Sequence, residues 1–226
     1  KTMNNLKRIT KFNNKALKSA YQIAKENKAT PIYNNYFLNG IFLISFDHKL
    51  RIYAASPYLG VRIQTDFKVN TQEFFFLSCI PINTVKDLIN SKNHSFSLFA
   101  NIKEKTLMVF DGINYYDLPD LTDYLSPSLI VDKLLDENLD LDNTSDKNSE
   151  GEILEYSFDF DRLNTLYQSQ KIIHKGYRLA TMNLYTHSES PLIISSTDIT
   201  EVTPEDTPNY ESIAKWEGLI MPVLKK

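Results

Sequence analysis

The sequence is poor in glycine, cysteine and tryptophan, with six, one and one of these among its 226 residues. Because Cys79 is the single cysteine, no disulfide can form within the chain, which fits a reducing compartment. Cys79 also lies in an apolar run, which favours a buried structural thiol over a nucleophile. The scarce glycines do not form a P-loop, a G-x-S-x-G or a G-x-G-x-x-G motif, so we predict a protein that is not an enzyme and has no catalytic residues.

Long apolar runs and clustered metal ligands are also lacking. No run approaches the ~20 apolar residues that span a bilayer, and no hydrophobic signal-peptide region follows the basic N-terminal stretch. The four histidines lack metal-ligand spacing; they are His48, His94, His174 and His187. The acidic segment that starts at Asp140 lacks the glycine and the closing glutamate of a calcium loop. We therefore expect no membrane segment, no metal and no cofactor.

Aromatic residues and unevenly distributed charge are what the sequence has instead. The 13 Tyr and 13 Phe suit sheets joined by polar turns. The net charge of −3 excludes a polycation that coats nucleic acid. However, residues 1–28 carry eight basic side chains against one acid, whereas residues 120–161 carry thirteen acids against two lysines. Any contact with nucleic acid must therefore come from a local basic patch.

Hydrophobic periodicity predicts an α+β chain in which each helix precedes a group of strands. Residues 1–28 are predicted to be helical, because Leu17, Ala20 and Ala24 recur at helical spacing, with Asn13 or Asn14 as a candidate N-cap. A second face of this helix would carry Lys11, Lys15, Lys18 and Lys25. A second helix is predicted to start at Pro81. Strands are predicted at 41–46, 50–55, 61–69, 74–80, 96–102, 107–110 and 115–118.

The second half of the sequence predicts a weaker version of the same order. Residues 136–151 are expected to form an acidic loop. A strand at 153–158 and a helix at 160–169 follow, with Leu163, Leu166 and Tyr167 directed inward. Strands are then predicted at 178–185, 192–196 and 218–224. We therefore predict two domains, 1–125 and 126–226, of which the second is shortened.

Four segments, in order, resemble one known family. Ala29–Asn39 (ATPIYNNYFLN) and Ala54–Val69 (AASPYLGVRIQTDFKV) are similar to segments of the form TLPILSNVLLE and TATDLEISVRTTV in bacterial DNA polymerase III beta subunits, the sliding clamps. Tyr115–Pro119 (YYDLP) is similar to their FSLP, and Leu219–Lys226 (LIMPVLKK) to their terminal VVMPMRL. The sequence departs from the family in length, with room for two domains where those clamps have three. Residues 121–152 match nothing in the family, although 128–137 are a candidate replacement for a missing first helix of the second domain.

The resemblance implies a DNA-clamp fold, in which helices pack on one face of antiparallel sheets in two clamp-like domains, the second incomplete. It implies a processivity factor of a bacterial or phage-infected cytoplasm. This factor would encircle double-stranded DNA without reading its sequence, as a homotrimeric ring, and bind a DNA polymerase and a clamp loader. The DNA-facing residues would be Lys7, Arg8, Lys11, Lys15, Lys18, Lys25, Lys86 and Lys92.

A pocket for partner peptides would lie beside the C-terminal strand. Its residues would be Tyr177, Arg178, Leu179, Leu219, Met221, Pro222 and Val223. The alternative is a clamp-fold protein that forms no ring and acts as an adaptor or decoy for a host replication or transcription protein. A particle mass of one chain would favour the adaptor, and a mass of three chains would favour the ring.

Overall fold

The computed structural model describes residues 6–28, 32–33, 36–46, 49–68, 77–101, 104, 106–118, 131–136, 158–173, 181–183, 191–197 and 213–221. Its helices are α1 (Asn14–Ala24), α2 (Ile82–Asn90), α3 (131–136) and α4 (Phe160–Ile173), with a 3₁₀ helix at Lys25–Lys28. Its strands are β1 (Leu6–Asn13), β2 (Ile32–Tyr33), β3 (Tyr36–Phe37), β4 (Gly40–Phe46), β5 (Lys49–Ala55), β6 (Leu59–Lys68), β7 (Leu77–Pro81), β8 (Ser95–Asn101), β9 (Thr106–Phe110), β10 (Tyr115–Asp117), β11 (Thr181–Asn183), β12 (Leu192–Thr197) and β13 (Ile213–Ile220). None of these helices combines the length and hydropathy of a bilayer-spanning segment.

The N-terminal strand β1 corrects the prediction that the basic stretch before Asn13 continues a helix. β1 pairs antiparallel with β8 in a four-stranded sheet of order β1-β8-β9-β10. The fully buried Phe12 faces Phe96, and their ring centroids are 5.5 Å apart. Asn13 then caps α1 as predicted, because its side chain accepts the backbone N–H of Lys15 at 2.7 Å. The cap fixes the strand-to-helix switch at residue 13.

A seven-stranded sheet of order β11-β12-β13-β6-β5-β4-β7 joins the two ends of the chain. At its centre β13 pairs antiparallel with β6, so that Trp216 faces Ile63 and Ile220 faces Leu59. The sheet therefore includes strands from both sides of the predicted boundary at residue 125. That boundary remains a prediction.

The strands and helices follow a repeated order. The first unit consists of β1, α1 and β4–β6, and the second consists of β7, α2 and β8–β10. The two units exchange their first strands, since β1 pairs with β8 and β7 pairs with β4. In the C-terminal part, α4 and β11–β13 repeat the helix and three strands of a unit. This arrangement confirms the predicted α+β class with antiparallel sheets.

The seven-stranded sheet separates two hydrophobic clusters. On the face covered by α1 and α4, here called the inner face, the main core includes Trp216, Leu17 and Ile52. On the opposite or outer face, α3 packs on a smaller cluster that includes Phe42 and Leu219. Alternation along each strand produces this division, because neighbouring residues such as Ile52 and Tyr53 point to opposite faces. Each face of this sheet therefore carries one of the two regions that are considered below as candidate functional sites.

Helix α4 differs from its prediction in one inward residue. Leu166, Ser169 and Ile173 are buried, whereas Tyr167 is 55% exposed. Ser169, a small polar residue, lies at the contact with α1, so the buried face of α4 includes a residue that carries no hydrophobic signal. The hydrophobic periodicity therefore predicted Tyr167, and not Ser169, as an inward residue.

Candidate functional site

Helices α1 and α4 lie side by side, antiparallel, on the inner face, and neutral hydrogen bonds join them. The Oγ atoms of Ser19 and Ser169 are 2.8 Å apart, and Ser169 Oγ donates to the Ser19 carbonyl at 3.0 Å. The indole N–H of Trp216 donates to Ser19 Oγ at 3.2 Å. All three residues are fully buried. Since each polar group finds a partner here, the helices approach closely without leaving an unsatisfied donor.

Gly218 makes room for the ring that supports this junction. A Cβ at residue 218 would lie 2.6 Å from the Trp216 ring and 2.9 Å from a Leu166 methyl. Both distances are shorter than real Cβ contacts, so a side chain here would displace the indole or α4. Gly218 therefore helps to set the position of α4 next to α1.

The solvent-facing side of α1, α2 and α4, here called the helical surface, is mildly basic. Lys18 of α1 and Lys25, the first residue of the 3₁₀ helix, are exposed, and Lys15 of α1 is half-buried. Lys25 Nζ donates to Gln22 Oε1 at 2.6 Å. The role predicted for these three lysines stays a prediction.

Two further regions contribute cations and acids to the helical surface. Lys86 is half-buried on α2, and Lys92 is exposed just beyond that helix. The exposed acids of this surface are Glu26, Asp87 and Asp161. Glu26 Oε1 accepts the hydroxyl of Thr165, which joins the 3₁₀ helix after α1 to α4.

Sequence reasoning missed Lys171 and the exposed Tyr167 of α4. Lys171 is exposed and its Nζ lies 5.9 Å from the centroid of the Tyr167 ring. The four-residue spacing of these two residues is itself a signal of one helix face. Because α4 runs beside α1, Lys171 extends the basic character of the helical surface beyond α1.

Lys7, Arg8 and Lys11 lie on β1 and not on the predicted helix, which corrects their placement. Arg8 pairs with Phe99 and Lys11 with Ser97, on the face of the four-stranded sheet opposite the buried Phe12. Lys7 is half-buried near the start of the strand. A strand alternates its side chains between two faces, so these cations do not continue the stripe of α1.

On the outer face, α3 packs on an apolar patch. Val131 and Leu135 are each only 1% exposed, and Leu134 packs partly against the same cluster. The patch is formed by Leu38, Phe42, Ala55, Cys79, Ile193 and Leu219, and together with Arg62 and Tyr53 these residues are called the outer groove below. The helix predicted within 128–137 therefore exists, but it lies on the outer face and does not replace a helix of the helical surface.

Arg62 binds three carboxylates in the outer groove. Its Nε donates to Glu217 at 2.8 Å, one terminal nitrogen donates to Asp132 at 2.6 Å, and the other donates to Asp136 at 2.9 Å. Burial alone would lower the pKa of Arg62, but the hydrogen bonds to Asp136 and Glu217 outweigh it and raise that pKa above its usual range. Arg62 is thus a permanent cation beneath α3.

Tyr53 adds a second donor to the same helix. Its hydroxyl lies 2.8 Å from both carboxylate oxygens of Asp132. Burial raises the pKa of the Tyr53 hydroxyl, and the nearby Asp132 charge raises it further. Tyr53 therefore stays neutral and donates its proton to α3 throughout the physiological range.

Of the predicted pocket residues, the structure brings Leu219 and Met221 together. Leu219 is buried under α3, and Met221 packs partly on the same cluster. The remaining five, Tyr177, Arg178, Leu179, Pro222 and Val223, lie outside the described residues. The placed part of the predicted pocket is thus the outer groove, and α3 occupies it.

Cys79 and the described acidic residues do not form a chemical site. Cys79 is buried in the outer cluster, and burial raises the pKa of its thiol. Within the described ranges, no three His, Cys, Asp or Glu side chains are arranged to hold a metal ion.

Comparisons with known proteins give a fold but no sequence relative. No family model matches the chain, and no curated protein sequence matches it. Among solved structures, the C. crescentus beta sliding clamp matches with a TM-score of 0.59 and 14% identity, over 100% of this chain and 67% of that chain. The H. pylori beta clamp matches with a TM-score of 0.57 and 12% identity, over 97% of this chain and 67% of that chain.

The Streptococcus pneumoniae TIGR4 DNA polymerase III beta chain matches with a TM-score of 0.54 and 12% identity, over 100% of this chain and 67% of that one. The chain thus spans 67% of the length of each of these three neighbours. At such low identity the likeness shows the fold alone. The chain has the fold of bacterial beta sliding clamps, as the sequence resemblance implied.

Proposed function

We propose that the chain is a clamp-like processivity factor whose helical surface faces duplex DNA and whose outer groove holds replication proteins. The observation that carries this proposal is the excess of cations on the helical surface. Six lysines lie there against three exposed acids: Lys15, Lys18, Lys25, Lys86, Lys92 and Lys171 against Glu26, Asp87 and Asp161. The similarity in fold to beta sliding clamps supports it.

Diffuse positive charge suits a surface that must slide. Lysines that face phosphates attract DNA of any sequence, and the attraction weakens as salt rises. Phosphate contacts position a protein on the duplex without reading its bases. Because Lys18, Lys25 and Lys171 are exposed and interspersed with polar residues, the helical surface attracts a duplex without fixing it in one register.

The proposal extends to partners and assembly. The outer groove, with Leu219 and Met221, would bind short segments of a DNA polymerase and a clamp loader, and copies of the chain would close as a homotrimeric ring. The described edge strands, β1 and β10 in one sheet and β7 and β11 in the other, offer backbone groups for pairing between copies. Encirclement would then retain the protein on DNA by topology.

The test compares two double variants that change charge equally. Lys15→Glu with Lys18→Glu alters the helical surface, whereas Arg8→Glu with Lys11→Glu alters β1 on the far side of the four-stranded sheet. Glutamate near the start of α1 is compatible with the helix dipole, so the first variant keeps its fold. We expect retention on nicked circular DNA to fall about tenfold for the first pair and less than about twofold for the control. Equal retention of both variants would show that the helical surface does not face the DNA.

The non-ring alternative has one observation in its favour. The described residues after 125 contain one unit of a helix and three strands, α4 with β11–β13, whereas residues 6–118 contain two units. A shortened second domain leaves fewer strands for ring closure, and an adaptor or decoy needs no ring. Light scattering separates the two, since a particle of three 26.1 kDa chains supports the ring and a single chain at micromolar concentration supports the adaptor.

A further inference from the structure

Helix α3 depends on its docking site for its own structure. The structure describes its residues 131–136, and most of the stability of a helix in a protein comes from the packing of its apolar face. Val131 and Leu135 lie in the outer groove, and Val131 contacts the surface above Gly60 beside Leu219. The described part of α3 therefore docks on the sheet through side chains, as a bound peptide would.

Arg62 divides its contacts between the sheet and α3. Its Nε binds Glu217 of the adjacent strand β13, and Lys215 Nζ lies 2.6 Å from the other carboxylate oxygen of Glu217. Its two terminal nitrogens bind Asp132 and Asp136 of α3. If α3 leaves, Arg62 keeps its buried partner on the sheet and presents two donors to whatever enters the groove.

The ion pairs to α3 lie at the rim of the groove. The side chains of Arg62 and Glu217 are each 4% exposed, whereas those of Asp132 and Asp136 are 30% and 57% exposed. Water and salt reach such pairs and weaken them. The buried pair of Arg62 with Glu217 is thus held within the sheet, whereas the pairs of Arg62 with Asp132 and Asp136 can be replaced by pairs with another segment.

We propose that α3 is a self-docked ligand of the outer groove, and that a partner segment of the same chemistry binds by replacing it. That segment carries two carboxylates four residues apart, for Arg62 and Tyr53, and apolar side chains at the positions of Val131, Leu134 and Leu135. This inference rests on the proposed role of the outer groove in holding partners and states how that role is regulated. A tethered helix competes at a high effective concentration, so weak or non-acidic segments are excluded.

The test uses a fluorescent peptide with the sequence of residues 128–138, SLIVDKLLDEN, and measures its anisotropy on the full chain. The Val131→Ala, Leu135→Ala double variant loses the apolar contacts of its own α3, so we expect it to bind the peptide at least about tenfold more tightly than wild type. A peptide with both aspartates changed to asparagine should bind at least about tenfold more weakly, because it no longer pairs with Arg62. The Lys92→Ala chain changes an exposed lysine on the helical surface, away from α3, so it should bind the peptide as wild type does.

A second release variant, Asp132→Asn with Asp136→Asn, leaves the apolar side chains intact and should also bind the peptide more tightly than wild type. The near-ultraviolet circular dichroism of Trp216, the one tryptophan, shows that the inner core is intact in each variant. Released variants that keep this signal and bind no better than wild type overturn the proposal. So does a wild-type dimer that the peptide dissociates, since α3 would then be exchanged between two copies.

Retention on DNA is measured separately and depends on the helical surface. Loss of retention in Lys15→Glu, Lys18→Glu with normal peptide exchange affects only the DNA role. Failure of peptide exchange with normal retention affects only the role of α3.

Discussion

The inner and outer faces of the seven-stranded sheet hold their helices by different means. On the inner face, neutral groups of Ser19, Ser169 and Trp216 bond to each other inside an apolar core. On the outer face, Arg62 and Tyr53 hold α3 through carboxylates that water partly reaches. Neutral buried hydrogen bonds respond little to salt or pH, whereas ion pairs at a rim respond to both. The contacts that hold the helices on the inner face are thus insensitive to salt and pH, whereas those that hold α3 on the outer face are sensitive to both.

The largest effect should come from breaking the inner face. Trp216→Ala removes the largest fully buried side chain and leaves a cavity between α4 and the sheet, so we expect a loss of about 3–5 kcal/mol in the free energy of unfolding. Urea unfolding followed by far-ultraviolet circular dichroism measures it. Trp216→Phe keeps much of the apolar area and should cost clearly less. Similar losses in both variants would mean that the indole N–H, and not packing, dominates this face.

The next largest effect should come from breaking the outer face at Arg62. Arg62→Ala leaves Glu217 buried, with Lys215 as its remaining partner among the described residues, so we expect a loss of about 2–3 kcal/mol in the free energy of unfolding. The loss should shrink in high salt, because salt already weakens the rim pairs of the wild type. The double variant Arg62→Leu, Glu217→Leu removes both members of the buried ion pair, so it should lower the free energy of unfolding less than Arg62→Ala alone. A double variant that is less stable than the single one would contradict this account.

The sequence predicted the elements of the inner face better than their contacts. Leu17, Ala20 and Ala24 placed α1 correctly, because an amphipathic helix repeats its apolar residues every three or four positions. β1 was missed because its lysines were assigned to the basic helix and because its burial does not alternate, since Ile9 and Thr10 are both buried next to a register shift. Ser169 was missed because a buried serine carries no hydrophobic signal until its partner on another helix is known.

The contacts of the outer face were harder to predict because they join residues that are far apart in the sequence. Arg62 meets Asp132, Asp136 and Glu217 at separations of 70, 74 and 155 residues, which no local pattern reports. The resemblance suggested residues 128–137 as a candidate replacement helix, but it did not indicate the face on which that helix packs. The C-terminal resemblance did select Leu219 and Met221, which lie at the groove, but it contained no sign that the chain fills the groove itself.

The smallest effect should be an alkaline weakening confined to the outer face. Burial, and then Asp132, raise the pKa of Tyr53, so its contribution to stability is complete below the unfolded tyrosine value of about 10 and is lost as pH rises through the folded pKa. The stability difference between wild type and Tyr53→Phe should therefore be constant up to about pH 9 and shrink by about 1 kcal/mol by pH 11. Urea unfolding at each pH measures this difference, in which the other titrating groups cancel. The matched difference for Ser19→Ala on the inner face should stay level over the same range, because the described hydrogen bonds of Ser19 join neutral groups. A Tyr53 difference that also stays level would mean that the hydroxyl is not held by the carboxylate of α3, and the contrast between the faces would then rest on Arg62 alone.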